Sequence, residues 1–161
     1  MTLPHRADVD ADDEPDIESW IVPVRRALVA RYGIEVGAEA AAEAATWAVE
    51  HAERLAMMGN PAGYLYRVGQ TAARRSVRWG SRHVMFPSEP VAPDLPLLDV
   101  DLFRALEQLR EEHRIAVLLT HGYGYTYRQV AEVLDVSEAA VTNFVHRGMT
   151  KLRSILGDDP T

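Results

Sequence analysis

Apolar residues along this chain recur at helical rather than strand spacing. Over residues 17–31, Ile17, Trp20, Ile21, Val24, Leu28 and Val29 fall largely three or four positions apart, which gathers them on one side of a helix. Pro23 is expected in its first turn, where a missing N–H costs little. Residues 35–58 are dominated by Ala and Glu and contain no proline, so a second helix is predicted there. Asn60-Pro61 is a start signal, with Asn60 as N-cap and Pro61 at the first helical position. The helix it opens carries Tyr64, Leu65, Val68 and Ala72 and runs towards Trp79. Residues 84–98 hold four prolines and can form neither helix nor sheet, so they read as a linker. Beyond them, Leu102, Leu106, Leu109, Ile115, Val117, Leu118 and Leu119 mark a second run of helices, broken at Gly122-Tyr123-Gly124. Neither half shows strand-like alternation. The pattern predicts an all-α chain in which two small helical domains, 17–83 and 102–157, are joined by a Pro-rich linker over 84–101. An acidic segment over 1–16, poor in large apolar groups, is expected to be disordered.

The most specific local signal lies in residues 126–156. Thr126-Tyr127-Arg128-Gln129 matches a capping box, in which the Thr hydroxyl accepts from the first turn and Gln129 reaches back. The helix it opens is expected to bury Val130, Ala131, Val133 and Leu134, with small Ala131 where a second helix passes close by. Asp135-Val136 makes a tight turn. Ser137 caps the next helix, and Glu138 suits its positive end. That helix places Val141, Val145, Met149 and Leu152 on one face and Ala139, Ala140, Thr142, Asn143, His146 and Arg147 on the other. This is the layout of a DNA-reading helix-turn-helix, whose second helix enters the major groove by its N-terminal half. Asn143 suits base-edge contact; Arg147, Lys151 and Arg153 suit phosphates. Phe144 could touch a thymine methyl or complete the core, and core is the preferred reading.

Composition first pulls the other way. The formal net charge is -7, which argues against a nucleic-acid partner. Segment by segment that inference reverses. Residues 1–20 carry a balance of -6 and residues 84–101 one of -4, whereas 61–83 hold five Arg and no acid, and 102–157 sum to +1. The basic stretch interleaves Arg67, Arg74, Arg75 and Arg78 with Tyr64, Tyr66 and Trp79, a mixture suited to phosphates and unstacked bases. The absence of cysteine excludes disulfides and points to a reducing, cytoplasmic setting. The N-terminal residues lack the apolar core of a signal peptide, and no apolar run approaches the ~20 residues of a membrane span.

Other chemistry finds little support. Asp8-x-Asp10-x-Asp12 resembles the start of a calcium loop, but Asp13 and Ser19 occupy the positions that need Gly and Glu. The histidines form no metal-ligand spacing, and no metal or cofactor is expected. Gly33-x-x-x-Gly37 lies outside any membrane span and carries little meaning by itself. No nucleophile–base–orienter set is visible, so the chain reads as a non-enzyme.

The basic helix NPAGYLYRVGQTAARR and the segment TYRQVAEVLDVSEAAV with the following HRGMTKLR resemble bacterial RNA polymerase sigma factors of the extracytoplasmic-function subgroup. The first is similar to that family's promoter-melting helix, the second to its C-terminal promoter-binding domain, and the resemblance spans about residues 17–156. It implies that Tyr64, Arg67, Gln70, Thr71, Arg74, Arg75 and Arg78 meet the downstream promoter element, and that Ser137, Glu138, Ala139, Ala140, Thr142, Asn143, His146, Arg147 and Lys151 meet the upstream one. Glu43, Trp47 and Glu50 stand where the family docks on the polymerase, although the usual D-x-x-Q-[ED] motif is replaced by AAEAATWAVE. The family's R-N pair is replaced by Gln70-Thr71, and Thr142-Asn143-Phe144 stands where K-S-R is common. Implied partners are promoter DNA, core RNA polymerase and an anti-sigma or other regulatory protein. Because of the departures, a sigma-derived regulator that binds DNA or a partner without supporting initiation stays open beside the initiation factor. A helical module that binds protein only is the third reading.

Overall fold

A computed structural model describes residues 14–78 and 100–157. Asp16 opens the first helix, α1 (Ile17–Tyr32), its carboxylate accepting from the Ser19 amide at 3.1 Å. Pro23 lies well inside α1 rather than in its first turn. The Ser19 carbonyl thereby loses its usual donor, which is tolerable because that face of the helix is exposed to water. The helix predicted over 35–58 is two: α2 (Ile34–Glu50) and a short α3 (Ala52–Ala56). The break falls at His51, whose backbone leaves the helical region while its ring stacks on Trp47 at 4.0 Å. Asn60 caps α4 (Pro61–Arg78) as expected, its side-chain oxygen accepting from the Gly63 amide at 3.0 Å.

In the C-terminal half, α5 (Val100–Glu107) takes up the last two residues assigned to the linker; residues 84–99, like Trp79 and the acidic segment through residue 13, lie outside the described residues. Helix α6 (Glu111–Val117) continues as a π-helical turn over Leu118–Gly122. Gly124, at φ 74, then redirects the chain into α7 (Tyr127–Leu134) and α8 (Glu138–Leu156). Among the described residues there is no strand, and no helix is long and apolar enough to cross a membrane.

Helices α1, α2 and α4 pack on one another around Val24, Leu28, Leu55 and Leu65, and α6, α7 and α8 around Ile115, Leu119, Val130 and Val141, all at most 1% exposed. Glycines decide two of the crossings. A Cβ at Gly37 would stand 2.5 Å from the Val29 Cα and 2.6 Å from the Leu28 carbonyl. The Gly33-x-x-x-Gly37 pattern, given no role above, is therefore what lets α2 lie directly on α1; Gly33 itself turns the chain between them at φ 86. Gly148 does the same for α8 on α6, with Val117 2.6 Å from its virtual Cβ.

The two helical halves expected from the sequence pack against each other. Their buried side chains form one continuous cluster, and α1 packs on α6 and α7 while α4 packs on α7. At the centre of this seam Arg114, only 2% exposed, reaches from α6 to the end of α1, donating from Nε to the Ala30 carbonyl at 2.9 Å and from NH2 to the Arg31 carbonyl at 3.0 Å. Those carbonyls lie in the last turn of α1, where no intrahelical donor exists and where a cation suits the helix dipole. Around it, Arg31 pairs with Glu111 at 3.2 Å, and Arg26 donates to the Tyr125 hydroxyl at 2.8 Å while lying 4.4 Å over the Tyr123 ring.

Two variants test this account by chemical denaturation. Gly37→Ala should cost about 1–3 kcal/mol, because backbone atoms in the way cannot turn aside as a side chain does. Arg114→Ala, which removes two charge-assisted bonds and strands two carbonyls, should cost on the order of 3 kcal/mol.

Candidate nucleic-acid interface

The helix-turn-helix forms as its sequence requires. Thr126 accepts from the Gln129 amide at 3.1 Å and Gln129 returns a bond from its side chain to the Thr126 amide at 2.9 Å, which completes the capping box. The turn is made by Asp135 in the left-handed region, at φ 54, with its amide held by the Ala131 and Glu132 carbonyls. Asp is among the few side chains that tolerate that conformation. Ser137 then caps α8 by accepting from the Ala140 amide at 3.1 Å.

This fixes which faces of α8 are free. Val141, Val145 and Leu152 are buried, Met149 and Phe144 are half-buried, and the Phe144 ring lies 5.9 Å from that of His113. Phe144 thus belongs to the packing. Burial, with Arg110 and Arg147 adding to it, holds the His113 imidazole below its ordinary pKa and so favours the neutral ring. Ser137, Glu138, Ala139, Thr142, Asn143, His146, Arg147 and Lys151 are exposed and Ala140 is half-exposed. The residues proposed for DNA contact therefore share one open surface. The Thr142 hydroxyl donates to the Glu138 carbonyl at 3.0 Å, whereas Asn143 projects from an exposed position one residue on.

On α4, helical spacing brings Tyr64, Arg67, Thr71, Arg74, Arg75 and Arg78 to one side, with Gln70 at its edge. Arg67, Thr71, Arg74 and Arg75 are exposed and Gln70 is half-buried; the side chain of Arg78 lies outside the described residues. Two of these arginines already hold carboxylates: Arg75 pairs with Glu43 of α2, and Arg67 with Asp135 of the helix-turn-helix turn. Tyr64 leans on Trp47, ring centroids 5.0 Å apart. Of the residues expected to dock on the polymerase, then, Glu43 is tied to α4 and half-buried Trp47 is sandwiched between His51 and Tyr64, while Glu50 is open. Val49 and Met57 beside them, 67% and 90% exposed, are the large apolar groups this surface offers. Arg114 and Arg26 carry no signal of their contacts in the sequence, and Asn60 and Asp135 announce only their local cap and turn, not their contacts across the seam. For Arg114 the sequence offers only its place at the head of the apolar run RIAVLL.

A sigma-70 region 4 family model matches residues 99–152, the span of α5 to most of α8. The C-terminal half thus carries a sigma-70 region 4 domain built as a helix-turn-helix. Over 104 residues the chain is 32% identical to the RNA polymerase sigma factor CarQ of Myxococcus xanthus, an alignment covering 59% of this chain and 60% of CarQ. It is 35% identical over 94 residues to the extracytoplasmic-function sigma factor SigK of Mycolicibacterium vanbaalenii, covering 56% of this chain and 47% of SigK. The chain thus matches half to three-fifths of the length of these relatives. The sigma factor RpoE of Bartonella quintana, solved in complex with the anti-sigma factor NepR, shares the fold at a TM-score of 0.59 and 19% identity, over 89% of this chain and 96% of RpoE. The chain is thus similar to bacterial RNA polymerase sigma factors, one of them of the extracytoplasmic-function subgroup, over little more than half its length.

Duplex titrations across a salt series separate the roles on α8. Asn143→Ala should lose about 1–3 kcal/mol of discrimination at a single base pair. Arg147→Ala should weaken all duplexes alike and flatten the slope of log affinity against log salt by roughly 0.9.

Proposed function

We propose that this chain is an initiation factor that directs core RNA polymerase to specific promoters. The reading rests chiefly on one observation: the residues expected to read bases and phosphates on α8 lie together on the exposed face of a doubly capped helix-turn-helix within the region matched by the sigma family model. In this reading α8 meets the upstream promoter element by Asn143, Arg147 and Lys151. Helix α4 meets the downstream element, its arginines following the strand and the partly exposed Tyr64 ring offering a surface on which an unpaired base can stack. Core RNA polymerase docks on the outer face of α2, where exposed Glu50 and the apolar Val49 replace the family's usual motif. Two weak DNA contacts carried on one chain then add through effective concentration, within the polymerase complex.

The protein works in the cytoplasm, without a chemical step of its own. An anti-sigma protein is a further partner in this proposal, supported by the fold it shares with a sigma factor solved in such a complex. A sigma-derived regulator that binds DNA without initiating is the second reading, favoured by the capture of Glu43 and Trp47 by α4 and His51.

Run-off transcription with core RNA polymerase, joined to a permanganate footprint, tests the assignment. The expected result is co-purification with core enzyme, a defined transcript and reactive thymines near its start. Duplex binding without polymerase association or unpaired thymines would establish the regulator instead.

A further inference from the structure

The two surfaces assigned to DNA are joined to each other. Arg67, in the middle of the basic stripe of α4, is paired with Asp135, and Asp135 stands two residues before the Ser137 cap of α8. Beside this pair the Asn60 side chain, while capping α4, donates to the Glu132 carbonyl at 2.7 Å. A Cβ at Gly63 would come within 2.9 Å of that same carbonyl. The start of α4 is thus seated against the end of α7, directly beside the end of α8 that must enter a groove. The Arg67 and Asp135 side chains stay 67% and 44% exposed, so the pair is open to solvent and to a competing anion.

We infer that Asp135 is an internal stand-in for a DNA phosphate: it latches Arg67 so that the helix-turn-helix stays docked on the N-terminal part of the basic helix, and DNA opens the protein by taking Arg67 from it. The inference rests on the assignment of α4 and α8 to DNA given above. A guanidinium forms the same forked, charge-assisted contacts with phosphate as with carboxylate. An exposed pair is weak and screened by salt, so a phosphate backbone can displace it. The deeper part of the seam behaves differently. Arg114 is buried on neutral backbone carbonyls, a contact that salt does not screen. Closure therefore has an exposed ionic catch beside a buried anchor, and the catch is the part DNA can reach.

The chain contains no cysteine, so Glu53→Cys and Ser154→Cys, on exposed positions of α3 and α8, place one dye on each half of the full-length protein. Energy transfer is read on single molecules, free and with a promoter duplex. Asn keeps the left-handed turn that Asp135 needs, which makes Asp135→Asn a change of charge with little change of shape. The expected result is a mainly closed free protein, a two- to fivefold larger open fraction in Asp135→Asn at low salt, and loss of that difference in high salt. In an Arg67→Gln background the same substitution should shift nothing. A free protein that is already open, or an open fraction unmoved by Asp135→Asn, overturns the latch. So does a shift that persists without Arg67, since it would be general charge repulsion. Run-off transcription on the same proteins keeps the two readings apart. Opening that follows the latch pattern without any promoter-directed transcript supports the latch and sinks the initiation role. A normal transcript with an open fraction insensitive to Asp135 sinks the latch alone.

Discussion

The cap that Arg114 places on the end of α1 is the contact on which the arrangement of the two halves depends. A helix ends with carbonyls that no intrahelical donor can reach, and burying them unpaired is costly. Here they are buried because α6 lies across them, and they are satisfied because α6 carries a long, planar, permanently charged side chain at that point. Burial pushes the Arg114 guanidinium below its ordinary pKa, with Glu111 and Glu107 working against the shift. The cation survives because the carbonyls and the α1 dipole supply what water would have given. Arg26 on Tyr125 and Tyr123, and Arg31 on Glu111, extend the same logic outward from it.

Once α1 is fixed against α6, the other elements have little freedom. Gly37 allows α2 to lie on the backbone of α1, and Gly69, whose virtual Cβ would meet the Leu28 side chain at 2.4 Å, brings α4 onto the same helix. Gly148 brings α8 onto α6. The basic face of α4 and the exposed polar face of α8 are thereby placed on neighbouring surfaces, and the turn of the helix-turn-helix becomes a contact for α4. In the function proposed above, the two helices assigned to DNA are brought together within one chain. That closure combines a continuous apolar cluster with the buried Arg114 contact, and its proposed responsiveness sits in exposed ion pairs.

Much of the candidate interface was legible because capping and periodicity are local. Thr126, Gln129 and Ser137 act on amides within the same turn, so their spacing alone announces them. The exposed row on α8 follows from where Val141, Val145 and Leu152 must point. The placement of Pro23 and the break at His51 were harder. A proline is tolerated inside a helix when the neighbouring face is wet, and an Ala-rich stretch carries no sign that an aromatic stack will interrupt it. Gly37 was passed over for a similar reason, since its role is defined by an atom of another helix rather than by its neighbours in sequence.

By itself, then, the sequence determined the helical class, the caps, the faces of α7 and α8 and the concentration of positive charge on α4, all of which arise from interactions within about one helical turn. What only the tertiary structure decided is the partner of each charge. Arg67 and Arg75 looked like open phosphate ligands and instead hold Asp135 and Glu43. Arg114 looked like one more base and is instead the buried keystone of the seam. Charge pairing and carbonyl capping between distant helices depend on which surfaces packing brings within about 3 Å, and no spacing along the chain encodes that.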